Sequence, residues 1–167
     1  GAGVQAAFQL RCLTTVLPLE KVSVVGRSPE RTRAFAEAMT KGLQIPVTIA
    51  RSASDAVSRA DLVVCATTSP TPVFARKDLR AGSHVDAVGA FRPETREVDT
   101  EVVRRARVVV DSYAGALAGA GDLLIPIQEG AITRVKSVGF AIEDAAAARR
   151  AYDAARAAGV GVEVELG

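Results

Sequence analysis

The sequence predicts an α/β fold, a doubly wound and mostly parallel sheet with helices on both faces, and three observations carry that prediction. Almost half of the residues are apolar while aromatics make up only 4%, with Ala, Val and Arg abundant. Such a balance suits alternating helices and β-branched strands better than a sandwich or barrel. Segments with helical apolar spacing alternate with short apolar runs, the pattern of βαβ units. The run DLVVCAT (61–67) is almost continuously apolar, as strands buried on both faces of a parallel sheet are. A chain of 167 residues fits one domain with one core.

Each element follows in order. Apolar residues at Val4, Phe8, Leu10, Leu13 and Leu17 give a helix from Gly3 to about Leu17, stopped by Pro18. Lys21 to Gly26 reads as a strand, followed by a turn and a helix from Pro29 whose first turn holds Pro and Glu30, with Gly42 closing it. PVTIA (46–50) is a short strand, and SASDAVSRA (52–60) a short helix capped by Ser52 or Ser54. After the strand DLVVCAT comes the turn-rich TTSPTPV (67–73), then a strand in SHVDAVGA (83–90), a helix over Asp99–Arg105 and a strand in RARVVVDS (105–112). Tyr113–Thr133 mixes helix and loop around AGAGD. FAIEDAAAARRAYDAARAAG (140–159) is rich in strong helix formers, and VGVEVELG (160–167) alternates as a terminal strand. The division is therefore a binding domain over 1–139 and a C-terminal helix and tail over 140–167.

Open sheets of this kind bind ligands beyond the carboxyl ends of their strands, which directs attention to Gly1–Gln5, Gly26–Arg31, Thr67–Pro72 and Gly89–Pro93. The opening GAGVQA fits the G-x-G-x-x-G/A fingerprint of a Rossmann-type dinucleotide site with Gly1, Gly3 and Ala6. The first glycine permits the tight turn, the second lets backbone approach a pyrophosphate, and the small Ala lets the helix pack close. Gly1, Gly3, Val4 and Gln5 are thus candidate pyrophosphate contacts. No strand stands ahead of this turn, so the first strand of the sheet is expected to be absent from this chain.

About twenty residues on, where an NAD site carries a carboxylate for the ribose 2′-hydroxyl, the sequence reads GRSPER. Arg27 offers a planar fork of donors, Ser28 a hydroxyl and Arg31 a further cation, which suits a 2′-phosphate and points to NADP(H) in preference to NAD(H). The absence of an acidic tip also disfavours an S-adenosylmethionine site. Thr67, Thr68 and Ser69 follow the next strand, where hydroxyl and backbone groups border the nicotinamide half, and Val88 and Gly89 stand at the tip after that. His84 starts its strand at the end away from the ligand edge and reads as structural; Asp111 and Asp122 could approach substrate or serve as caps in turns.

Composition excludes other classes. A net charge of +2 is spread over scattered arginines without aromatic interleaving, which gives no nucleic-acid surface. Cys12 and Cys65 have no His or second Cys at metal spacing and read as small buried hydrophobes, so no metal is expected and the setting is cytoplasmic and reducing. No apolar run is long enough for a membrane span, and no signal peptide is visible.

GAGVQA, VVGRSPERTRAFA, DLVVCATTSPTPV, GSHVDAVGAFRPETREVD, RVVVDS and KSVGFAIEDAAAARRAY come in an order that resembles the ornithine cyclodeaminase/mu-crystallin family over nearly the whole chain. The resemblance implies a homodimer of two-domain subunits, with a Rossmann domain for the nicotinamide cofactor. A second domain, built mainly from sequence ahead of GAGVQA, would supply dimer contacts and the substrate-binding Lys and Arg, and the C-terminal tail would pack back on it. Ornithine cyclodeaminases and related alanine dehydrogenases carry an Asp roughly where this sequence has Phe91, and a phenyl ring cannot act as acid or base. GAFRPETREVD looks more like the ketimine reductases and mu-crystallins, so the implied activity is reduction of a cyclic imino acid, Δ1-pyrroline-2-carboxylate or Δ1-piperideine-2-carboxylate, to proline or pipecolate. Phe91 would then shape the substrate pocket. The alternatives within the family are a cyclodeaminase or alanine dehydrogenase, and a mu-crystallin-like NADPH-dependent binder of small ligands.

Overall fold

The computed structural model describes residues 1–133, 137–138 and 156–160. Helix α1 (Val4–Val16) opens the chain and strand β1 (Val22–Val24) follows. Helix α2 (Pro29–Leu43) then crosses over to β2 (Val47–Ile49), which pairs in parallel with β1 in the register Val22↔Val47 to Val24↔Ile49. The first turn of α2 holds Pro29 and Glu30 as its sequence suggests, and Ser28, read from the sequence only as a cofactor contact, is its N-cap. Its other end differs from expectation. The helix runs past Gly42, and Gln44 takes the left-handed conformation at φ 57°. The Gln44 side-chain amide donates to the Lys41 carbonyl at 2.8 Å and its backbone N–H to Thr40 at 3.0 Å, so an amide side chain does here what glycine usually does.

Ser52, not Ser54, caps the short α3 (Ala53–Val57), accepting the Asp55 N–H at 3.1 Å. Strand β3 (Leu62–Cys65) pairs in parallel with β4 (His84–Ala87), Leu62 opposite His84 and Cys65 opposite Ala87. This crossover holds only a 3₁₀ turn at Arg76–Asp78, in keeping with its Ser, Thr and Pro content. Helix α4 (Thr100–Arg105) is capped by Asp99, whose carboxylate accepts the Val102 N–H at 2.8 Å. After β5 (Val109–Val110), the mixed stretch resolves into α5 (Tyr113–Gly119) and α6 (Gly121–Gln128), and β6 (Ser137–Val138) pairs in parallel with β5. The expected helix and strand over 140–167 lie outside the described residues, save that 156–158 are helical.

Every described strand pair is parallel, as expected. The single sheet and single core are not seen: among the described residues the strands form three separate pairs. One apolar cluster gathers Leu10, Val24, Ala36, Met39 and Val47 under β1, β2, α1 and α2. The other gathers Val57, Val63, Cys65, Phe74, Val98, Val102, Val103, Ala116 and Leu123 around β3, β4, α4 and α6. No described strand lies between β1 and β3 to carry the hydrogen-bond ladder across, so each pair builds its own core.

Helix α1 corrects a further expectation. Of its apolar positions only Leu10 is buried, while Val4, Phe8 and Val16 are exposed, and Cys12 is exposed where it was expected inside. The helix packs on α2 and β3 through a narrow edge made of Leu10 and Ala7, with Ala2 just ahead of it.

Candidate functional site

Gly1 stands where the ends of β1 and β3 come together. Its nitrogen donates to the Val25 carbonyl at the end of β1 at 2.9 Å, while its Cα faces the end of β3 so closely that a Cβ would stand 2.3 Å from the Ala66 oxygen. A side chain there is excluded, so the first glycine of the fingerprint is required by the approach of two strand tips. Gly26 is required on the other side: a Cβ would lie 2.2 Å from Thr32 Oγ1 and 3.2 Å from the Ala2 Cβ. The two glycines let the β1 tip, the α1 entry and the first turn of α2 close on one another.

Gly3 behaves differently. It is the N-cap of α1 in extended conformation, has no side-chain cap, and has no atom within 4 Å of a Cβ position. The N–H groups of the first helical turn have no intrahelical acceptors, and open space lies in front of the residue that leads into them. This is the arrangement that admits a phosphate at a helix N-terminus. Val4 and Gln5 are both exposed at this end.

At the β1 tip, Arg27 and Arg31 are exposed and form no ion pair among the described residues. Ser28 is used by the fold: its Oγ accepts the Arg31 N–H at 3.4 Å and its carbonyl accepts the Thr32 hydroxyl at 2.7 Å. The Ser28 hydroxyl proton is not consumed by that cap, since the oxygen is the acceptor.

Beyond β3 and β4 the two loops are locked together by a residue that sequence reasoning missed. Glu97 is fully buried, and its Oε1 accepts the Thr67 N–H while its Oε2 accepts the Gly89 N–H, each at 2.6 Å. Gly89 packs so tightly on this clasp that a Cβ would lie 2.1 Å from the Thr67 oxygen and 2.7 Å from the Glu97 carboxyl carbon. Thr67 Oγ1 in turn accepts the Ser69 N–H at 3.1 Å, and the Ser69 hydroxyl donates to the Thr71 carbonyl at 2.6 Å, which shapes the rest of the loop. Thr68 is exposed, and Val88, whose N–H donates to Cys65, is more than a third exposed.

Asp122 supports Glu97 from behind. Its Oδ1 accepts the N–H groups of both Glu97 and Val98, at 2.8 and 2.9 Å, and the residue is buried. Of the roles open to it from the sequence, the structure assigns capping of this distant backbone. Burial pushes its carboxyl above the usual range, opposed by the two amides. Burial also pushes the Cys65 thiol up to about 12, with Glu97 adding to the effect, so Cys65 is an inert core residue. His84 faces Asp86 at 2.9 Å at the start of β4, away from the tips, and Asp111 accepts the N–H of its neighbour Ser112.

Phe91 is 70% exposed, with the Arg92 guanidinium 5.6 Å from its ring centre, and forms no closed pocket among the described residues. Two surface hollows of about 450 and 360 Å³ lie elsewhere, against α2 and β2 and beside the start of α4. The strand-end region is thus an open cradle. Nothing in it is placed as an acid or base, and the described residues hold no cluster of metal ligands. Its open side lies at Gly3, the N-cap of α1.

Comparison with known proteins gives the family. The model of the ornithine cyclodeaminase/mu-crystallin family matches residues 1–130. A Δ1-pyrroline-2-carboxylate reductase of Bacillus cereus is 34% identical over 99% of this chain and 59% of its own length. The mouse ketimine reductase mu-crystallin is 34% identical over 92% of this chain and 53% of its own. The solved Δ1-pyrroline-2-carboxylate reductase of Thermococcus litoralis, in complex with NADH and L-proline, superposes with a TM-score of 0.87 at 37% identity, covering 98% of this chain and 59% of that one. The chain therefore spans under two thirds of the length of these relatives, and by its matched residues it belongs to the ornithine cyclodeaminase/mu-crystallin family.

Proposed function

We propose that this chain carries the nicotinamide-nucleotide cradle of an enzyme that reduces a cyclic imino acid, Δ1-pyrroline-2-carboxylate or Δ1-piperideine-2-carboxylate, to proline or pipecolate. The observation that carries the reading is the open space at Gly3, set between two strand tips that Gly1 brings together, in a chain similar to a reductase solved with NADH and L-proline. When bound, the nicotinamide supplies a hydride to the imine carbon. The protein's own part is placement. Gly1, Gly3, Val4 and Gln5 cradle the pyrophosphate at the α1 N-terminus, while Thr67, Thr68, Ser69, Val88 and Gly89 border the nicotinamide half. Phe91 presents an apolar face at the substrate side and offers no proton, which sets the reading against ammonia expulsion.

Arg27, Ser28 and Arg31 favour NADP(H) over NAD(H), because two exposed guanidiniums and a hydroxyl with a proton to donate stand where a carboxylate would repel a 2′-phosphate. In the full-length protein a further strand would join the β1 and β3 pairs into one sheet, and residues of another domain would supply the cations that hold the substrate carboxylate, in a homodimer.

The test is loss of reduced-cofactor absorbance when each cyclic imine is added to the full-length protein. Turnover with either imine, faster with NADPH than NADH, is expected. Tight NADPH binding without turnover would instead mark a small-ligand binder, and ammonia release from ornithine a cyclodeaminase; either overturns the proposal.

A further inference from the structure

Two buried carboxylates stand next to the cradle, and neither forms an ion pair among the described residues. Among the described residues Glu97 is the largest fully buried side chain, and Asp122 is 7% exposed. Four backbone N–H groups compensate them: Thr67 and Gly89 for Glu97, and Glu97 and Val98 for Asp122. Burying charge in this way is costly, and apolar replacements of buried ions are often neutral or stabilising. Fold stability alone therefore gives a weak account of the pair. What distinguishes it is where its hydrogen bonds lead, to the two loops beyond the β3 and β4 tips.

We propose that Glu97 is a positioning residue for hydride transfer. Through the Thr67 and Gly89 amides it sets the spacing of the two loops that frame the reactive end of the cofactor, and Asp122 holds Glu97 in place. The proposal rests on the reductase reading above. The β3–β4 register ends at Cys65↔Ala87, with one further bond from the Val88 N–H to Cys65; past that point one carboxylate takes an amide from each loop. A shift of Glu97 moves both loops together. The Arg92–Val98 segment that carries it is seated on α6: a Cβ at Gly121 would lie 2.0 Å from the Thr95 oxygen and 2.6 Å from that of Arg92, and Asp122 follows directly. Loop spacing so fixed governs how closely donor and acceptor carbons meet, where an error of about 1 Å can cost on the order of a hundredfold in rate.

The oxygens make the test specific. Glu97 uses both of them, one per amide, so Glu97→Gln must turn an NH₂ toward one N–H. Asp122 uses a single oxygen for both of its bonds, so Asp122→Asn can keep both. In the full-length enzyme, E97Q should lower kcat for imine reduction by about 10- to 100-fold while the dinucleotide Kd changes less than about threefold. The deuterium isotope effect on kcat with 4-deuterated cofactor should rise. D122N should stay within about threefold of wild type, and D122A should fall with E97Q. An E97Q kcat within twofold of wild type, a loss carried equally by Kd, or a D122N as impaired as D122A would overturn the proposal. If E97Q does not fold, the D122N and D122A pair decides. Hydrogen exchange adds an independent arm: the Thr67 and Gly89 amides should be as protected as those of β3 and β4, and free exchange of either overturns the clasp. A wild-type enzyme inert toward every cyclic imine overturns the reductase reading instead, and the clasp is then judged on exchange alone.

Discussion

Gly3→Ala separates the cofactor role of the fingerprint from its role in the fold. At this position φ is −104° and ψ −171°, which alanine adopts without strain, and no atom lies within 4 Å of the added methyl. As an N-cap, alanine is worse than glycine by about 0.5–1 kcal/mol. The reduced freedom of the unfolded chain returns about 0.4–1 kcal/mol, so the net effect on stability is close to zero. The melting temperature should stay within about 3 °C of wild type. The methyl does occupy the space in front of the α1 N-terminus, and a pyrophosphate held by backbone there has to retreat. Dinucleotide affinity should fall at least about tenfold, or about 1.4 kcal/mol. Gly26→Ala is the control with the opposite pattern: its Cβ would meet Thr32 Oγ1 at 2.2 Å, so the loss should be in stability. Fluorescence titration with NADH and NADPH, beside thermal melts of both variants, reads the outcome. A Gly3→Ala protein that binds both dinucleotides as well as wild type would refute the assignment of this helix end.

Three other outcomes follow from the same geometry. Gly121→Ala would place a Cβ 2.0, 2.6 and 2.9 Å from the carbonyl oxygens of Thr95, Arg92 and Pro93, and should cost about 3 kcal/mol, lowering the melting temperature by about 6–12 °C; an unchanged melt would contradict the packing of α6 on that segment. Alkylation of the folded protein near pH 8 should label exposed Cys12 and spare Cys65, whose thiol is buried and raised to about 12; mass-spectrometric modification of Cys65 without unfolding would be the contrary result. Because burial raises the Asp122 pKa above its ordinary 3.8, the unfolded chain ionises first and wild type loses stability as pH climbs through the window above 3.8. The wild-type melting temperature should therefore fall relative to that of Asp122→Asn as pH rises above 3.8, and a difference that stays flat or grows in favour of wild type would count against it.

The parts of the fold that local pattern controls were legible in the sequence. β3 and β4 follow from their apolar content, the start of α2 from Pro29 and Glu30, and α4 as a helix near Asp99–Arg105, because such patterns are local chemistry. The end of α2 was not, since Gln44 supplies with its side chain the cap that Gly42 was expected to supply. Cys12 was misplaced for a different reason. Periodicity identifies a helix but not how much of its apolar face finds a partner, and α1 rests on a narrow edge. The site divides the same way. Gly1, Gly3 and the strand tips announce themselves by motif and spacing. Glu97 looks in sequence like one more charged loop residue, because its partners lie 30 and 8 residues away and are backbone amides with no signature of their own. Asp122 stands 25 residues from Glu97 and was legible only as a turn or cap.

The central claim is that this cradle serves hydride delivery to a cyclic imine carbon. The most direct measurement uses the full-length protein with NADPH or NADH deuterated at nicotinamide C4 and Δ1-pyrroline-2-carboxylate or its six-membered homologue, followed by mass spectrometry of the amino acid formed. Proline or pipecolate carrying one deuterium at the α-carbon is the predicted result. Product without that deuterium, or no product from either imine beside saturating cofactor, would contradict the account.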